Sequence, residues 1–180
     1  RLHHTRRKQH RCDVAGCRRH QRNADGSVGR RGGHAFAVGV GGDHGAAGDD
    51  PGPLAGVLAG LDWVNENRPD IGWLVTAPAD CPFLPEDLVP RLHQAAREKG
   101  NRLACARSGV WRHPVVGLWP VTLATDLRGA LINEGLHKIE AWTARHGIAI
   151  ADWPVMPVDP FFNVNTPDDV LAAERIAAEH

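Results

Sequence analysis

The residues after Asp50 predict an α/β fold: a three-layer, mainly parallel sheet with helices on both faces. Short unbroken apolar runs of strand length recur there, and segments with apolar residues at helical spacing separate them. Size agrees, since 180 residues with 42% hydrophobic content bury one substantial core and fall short of two ordinary domains.

Pro53 to about Asn67 reads as a helix, with Leu54, Val57, Leu58 and Leu61 on one face and Pro53 tolerated in its first turn. Ile71 to Ala77 reads as a buried strand, stopped by the prolines of Pro78-Ala79-Asp80-Cys81-Pro82. A second helix runs from Pro85 to about Glu98, and its opening Pro85-Glu86-Asp87 supplies acids suited to the positive end of a helix dipole. Leu103 to Ala106 and Val115 to Trp119 are short strands, Pro120 to Leu131 and Gly135 to Arg145 helices, and Ile148 to Trp153 a strand. The last helix spans Thr166 to Ala178, with Thr166 as N-cap and Asp169 completing an imperfect capping box. The six tryptophans, Trp63, Trp73, Trp111, Trp119, Trp142 and Trp153, are expected to fill the core.

The chain divides unevenly, with residues 1–48 an irregular basic segment and 49–180 the α/β domain. About half of all Lys and Arg fall in the first 31 residues, although the formal net charge is zero. That arm has no aromatic interleaving and no recognisable reading motif, so nucleic-acid binding is not expected. Its only apolar cluster is Phe36-Ala37-Val38-Gly39-Val40, too little to offset the entropy of ordering it. No apolar run approaches the ~20 residues needed to span a bilayer and no signal-peptide pattern opens the chain, so it reads as cytoplasmic and not membrane-bound. Cys12, Cys17, Cys81 and Cys105 contain no C-x-x-C pair and are expected as reduced thiols. Cys12 and Cys17 with His3, His4, His10 and His20 match no zinc spacing.

In open α/β sheets ligands bind beyond the carboxyl ends of the strands. Asp80 ends such a strand, and Mg²⁺ takes a few carboxylates plus substrate oxygens and water; a turn or N-cap aspartate before proline is the plain alternative. Gly52 and Gly56 would let backbone N–H groups at a helix start approach a phosphate or pterin, or they form a turn and a helix-packing contact. Asn163 and Asn165 alternate on an extended segment and so point to one side. Together they can bind a phosphate, complete a metal's coordination or hydrogen-bond a pterin, or they are a cap and Asx-turn pair.

In order and spacing, Gly52-Pro53-Leu54-Ala55-Gly56, Trp73 to Pro82, Arg112-His113-Pro114-Val115-Val116-Gly117, Gly135-Leu136-His137-Lys138-Ile139 and Phe162 to Asp168 resemble the molybdenum cofactor guanylyltransferases. The resemblance runs from about Pro51 to the C-terminus. It implies a Rossmann-like nucleotidyltransferase fold and an Mg²⁺-dependent enzyme that transfers GMP from GTP to molybdopterin, giving the guanine dinucleotide form of the cofactor and pyrophosphate. It implies Asp80 as metal ligand and catalytic residue, with Gly52, Gly56, Lys138, Asn163 and Asn165 around the acceptor. Lys138 would sit near the acceptor's phosphate, its plain alternative being a solvated helix lysine, and His113 is expected to be structural. Asn23, in Arg22-Asn23-Ala24-Asp25-Gly26, matches a strand-ending segment that meets the guanine nucleotide, and Asp43 an aspartate ahead of the Gly-Pro-Leu-Ala-Gly run. Partners would be these small molecules and, transiently, other cofactor-biosynthesis proteins.

The family opens with a Gly-rich loop of the form L-A-G-G-x-x-x-R-M-G-x-D-K, and this sequence contains no such run. Residues 1 to roughly 22, extending as far as 48, are therefore expected to be a truncated or wrongly framed reading, and the chain as written to hold the acceptor half of a site, with its activity in question. A CTP- or sugar-phosphate nucleotidyltransferase and a non-catalytic molybdopterin-binding protein stand as alternatives.

Overall fold

The computed structural model describes residues 52–179 and the backbone of residues 35–40. Asn23, Asp43, Cys12, Cys17, the N-terminal histidines and the boundary near residue 48 lie outside the described residues. Five strands form one sheet: β1 (Ala35–Val40), β2 (Trp73–Pro78), β3 (Leu103–Ser108), β4 (Trp111–Pro120) and β5 (Ile148–Trp153), in the order β1-β2-β4-β3-β5. Five helices accompany them: α1 (Gly52–Asn67), α2 (Leu88–Lys99), α3 (Ala124–Asn133), α4 (Ile139–His146) and α5 (Pro167–Glu179).

β1, β2, β3 and β5 run in one direction and β4 runs against its two neighbours, so the sheet is mainly parallel, as expected. The reversal follows from chain length. Only Gly109 and Val110 separate β3 from β4, and parallel neighbours need a crossover of a dozen or more residues. Gly109, with φ +56°, makes the tight turn. Both hairpin strands are longer than their apolar runs, because Arg107, Ser108 and Trp111 to His113 continue the pairing. The register shifts between Cys105 and Ala106, which pair with Gly117 and His113; Pro114 falls in the bulge, where its missing N–H disrupts no ladder.

Successive sheet residues face opposite layers. Leu74, Leu103 and Trp119 pack with Leu54, Val57, Leu61 and Val64 of α1 and with Leu127 and Trp142 of α3 and α4. Val75, Ala104, Leu118 and Ala149 face the other way, against Leu88, Leu92, Ala95 and Ala96 of α2. Each fully buried leucine contributes about 1.5–3 kcal/mol. The tryptophan N–H groups in this core are paired: Trp119 to Thr76 Oγ1 (2.8 Å), Trp142 to Asp126 (2.8 Å) and Trp153 to Asp87 (2.9 Å).

Several expectations are corrected. Trp111 is 70% exposed at the hairpin tip and Trp63 43% exposed on the solvent side of α1, so these two do not fill the core. α2 begins at Leu88, not Pro85. Asp87 precedes it but caps no helix N–H, because its carboxylate takes the indole of Trp153 and pairs with Arg91. Gly135 does not open a helix: its φ of +62° and the bond from Leu136 N–H to the Ala130 carbonyl (3.0 Å) close α3. Pro120 ends β4, and a 3₁₀ turn, Val121–Leu123, leads into α3. Among the described residues no helix is long and apolar enough to cross a membrane.

Candidate active site

The turn after β2 carries Asp80 at the carboxyl edge of the sheet, half-buried and one residue before the buried Cys81. The strand stops because Pro78 and Pro82 bracket the turn. Far along the chain, the segment from Phe161 to Asn165 meets this turn, and the Val164 N–H bonds the Asp80 carbonyl at 2.9 Å. Asn163 and Asn165 are exposed and Val164 between them half-buried, the alternation of an extended segment. The Cys81 thiol lies 2.7 Å from the Asn163 side-chain oxygen, 3.8 Å from the Phe161 carbonyl and 4.0 Å from Asp80 Oδ1. Burial, and then the nearby charges of Asp80 and Asp159, push that thiol up to about 11, so it stays protonated.

An open cleft of about 440 Å³ adjoins this junction, lined by Asp80, Phe83, Val164, Val170 and Glu174. A neighbouring cleft of about 500 Å³ shares Val164 and Val170 and includes Asn165 and Thr166. The helix that walls both clefts starts with the expected cap. Asp169 N–H bonds Thr166 Oγ1 at 3.2 Å, and the Thr166 and Asn165 N–H groups donate to the Asp169 carboxylate at 2.8 and 3.0 Å. An Asx-turn does not describe Asn165, because Pro167, two residues on, has no N–H to donate to its side-chain oxygen.

Gly52 begins α1 with φ +68°, a conformation that disfavours any side chain, and a Cβ there would lie 3.6 Å from the His137 carbonyl. This brings the glycine entrance of α1 beside the segment that ends in Lys138. Lys138 is exposed and stands at the N-cap of α4 rather than inside a helix. Gly56 lies within α1, and the tight helix–sheet contact belongs to Gly60, where a Cβ would come 2.9 Å from Leu74. The predicted residues thus gather into two groups, Asp80 with Asn163 and Asn165, and Gly52 with Lys138.

Beneath the first group lies a network that sequence reasoning missed. Ser108, fully buried, bonds His113 Nε2 at 2.8 Å and donates to Asp159 at 3.1 Å, while Asp159 accepts the Phe161 N–H at 3.0 Å. The His113 ring packs on Phe161 with centroids 4.7 Å apart, and burial lowers its pKa against the opposing charge of Asp159. The serine bridges histidine and aspartate, so the order is not that of a nucleophilic triad, and the network supports the segment carrying Asn163.

Among the described residues no group of three or more His, Cys, Asp or Glu could hold a metal ion. A single half-buried carboxylate at an open cleft suits Mg²⁺ that arrives with phosphate oxygens and water, rather than a resident ion.

The description MobA-like NTP transferase domain matches residues 43–148, a span that contains Asp43, Gly52, Gly56, Asp80 and Lys138 and ends before Asn163. A molybdenum cofactor guanylyltransferase of Rhodopseudomonas palustris (strain BisB5) is 58% identical over 127 residues, covering 71% of this chain and 60% of that protein. One of Nitrobacter hamburgensis is 55% identical over 130 residues, covering 72% and 62%. The chain thus spans about 60% of the length of the curated relatives it matches. Among solved structures, the molybdopterin-guanine dinucleotide biosynthesis protein A of Archaeoglobus fulgidus superposes with TM-score 0.53 at 25% identity, covering 72% of this chain and 64% of that one. The 2-C-methyl-D-erythritol 4-phosphate cytidylyltransferase of Thermus thermophilus, TM-score 0.51 at 15% identity over 69% and 68%, shares the fold. With more than half its length matched to one family, the chain belongs to the MobA-like NTP transferase domain family.

Proposed function

We propose that the domain from residue 49 onward transfers GMP from GTP to the terminal phosphate of molybdopterin and releases pyrophosphate, with Mg²⁺ held at Asp80. The observation that carries this reading is the junction at the carboxyl edge of the sheet, where the Val164 N–H meets the Asp80 carbonyl at 2.9 Å and the Cys81 thiol, next to Asp80 in the chain, meets the Asn163 side-chain oxygen at 2.7 Å. Family membership and the names of the relatives support the same chemistry.

Phosphoryl and nucleotidyl transfer ask the protein mainly to position reactants and offset charge. Mg²⁺ held by the Asp80 carboxylate would offset the charge that develops on the phosphates. Asp80 provides the carboxylate for that ion at the mouth of the cleft. Asn163 and Asn165 orient the acceptor, Lys138 meets its phosphate, and Gly52 and Gly56 let it come close to the backbone at the start of α1.

The test is pyrophosphate release from GTP, Mg²⁺ and molybdopterin by the chain preceded by a Gly-rich loop of the form L-A-G-G-x-x-x-R-M-G-x-D-K, with Asp80→Ala in that same chain as comparison. Loss of one metal-holding carboxylate is expected to lower the rate by about 100-fold or more. Equal release by Asp80→Ala would end the assignment, and faster release from CTP than from GTP would move it to a cytidylyltransferase.

A further inference from the structure

The junction between the β2 turn and the Phe161 to Asn165 segment contains one side-chain bond whose direction has a chemical consequence. Cys81 offers a single S–H proton, and three oxygens lie around its sulfur: Asn163 Oδ1 at 2.7 Å, the Phe161 carbonyl at 3.8 Å and Asp80 Oδ1 at 4.0 Å. The nearest acceptor takes the proton. Phe161 and Cys81 are buried and Asn163 as a residue is exposed; with the amide oxygen on the thiol, the polar group left to the amide is its N–H₂.

We propose that Cys81 is a positioning residue whose S–H holds the Asn163 side-chain oxygen, so that Asn163 presents only its N–H₂ group beside Asp80 and binds a phosphate oxygen rather than the metal ion. The proposal rests on the reading of Asp80 as the metal-holding carboxylate. It resolves what two amides near a carboxylate leave open. An asparagine oxygen facing the cleft would join Asp80 around a cation, whereas an N–H₂ facing it repels a cation and donates to an oxyanion. Carboxylate and amide nitrogen side by side form a mixed site: the acid holds the ion, and the amide holds an oxygen of the phosphate that the ion carries. An alanine at position 81 frees the amide to rotate. A serine keeps an O–H donor at nearly the same place.

The experiment uses the ¹⁵N-labelled full chain, its Cys81→Ser and Cys81→Ala variants, and inorganic pyrophosphate with Mg²⁺ and Mn²⁺ alone as probes. In the unsubstituted chain and in Cys81→Ser, both Asn163 Nδ2 protons are expected to exchange with solvent like those of an exposed amide. In Cys81→Ala their two resonances move toward those of a free asparagine. Loss of one oriented hydrogen bond is expected to weaken Mg²⁺–pyrophosphate binding by about threefold to tenfold in Cys81→Ala, with rescue by serine and Mn²⁺ affinity unchanged. A protected Nδ2 proton, matching behaviour of the alanine and serine variants, or Mn²⁺ affinity that falls together with pyrophosphate affinity would each overturn the proposal. Absence of Mg²⁺–pyrophosphate binding by the unsubstituted chain would instead strike the metal role of Asp80, because proton exchange reports the amide's orientation without any ion.

Discussion

The Val164 N–H donates to the Asp80 carbonyl across 2.9 Å and so fastens the turn after β2 to a segment far along the chain. The bond is made by backbone atoms, which leaves the Asp80 carboxylate free to be changed without dissolving the junction. Asp80→Asn is therefore expected to keep the thermal midpoint within about 2 °C, as for a surface substitution within ±0.5 kcal/mol, while divalent-ion affinity falls. Mn²⁺ titration and thermal unfolding of the same sample check both halves.

Gly52 stands at the entrance of α1 with φ +68°. Gly52→Ala places a Cβ 3.6 Å from the His137 carbonyl, an ordinary contact, so the cost is conformational and amounts to about 1–2 kcal/mol. Urea unfolding measures it. A loss well above this range would mean that the added methyl displaces the segment leading to Lys138.

Thr76 is fully buried; its hydroxyl donates to the Val115 carbonyl at 2.6 Å and accepts the Trp119 indole N–H at 2.8 Å. Thr76→Val keeps the shape and strands both partners. The expected cost is about 1–3 kcal/mol per orphaned group, read as a lower urea midpoint with an unchanged m-value.

His113 gives stability a pH dependence with a definite sign. Burial lowers its pKa below the ordinary 6.5, so the folded protein resists a proton that the unfolded chain accepts. The stabilisation tied to the neutral ring is complete above the unfolded value and is lost as pH falls through the folded one. Unfolding midpoints are expected to drop between about pH 7 and pH 5, and His113→Gln to remove part of that slope. His93 is lowered the same way, first by burial and then by Arg97, so the slope that disappears in the variant is the quantity to compare.

Much of the architecture was legible because it rests on local periodicity. The apolar face of α1, the unbroken run of β2, the β5 strand and the Thr166–Asp169 cap each follow from residues within one or two turns of each other, and the structure has all of them. Asp80 was legible as a strand-ending acid for the same reason. The tip of the β3–β4 hairpin was not, since Arg107, Ser108, Arg112 and His113 break the apolar pattern and enter the strands only through cross-strand pairing.

By itself the sequence determined the middle of each strand and helix after Asp50, which faces are apolar, and that a carboxylate ends a buried strand, but not the strand at residues 35–40, which is ordered by its parallel pairing with β2. Tertiary structure alone decided that β4 lies reversed between β2 and β3, that Ser108 links His113 to Asp159, and that Cys81 meets Asn163. The physical reason is range. Propensity, capping and hydrophobic spacing act between near neighbours and leave a repeating mark, whereas a single hydrogen bond between residues far apart in the chain leaves no periodic trace.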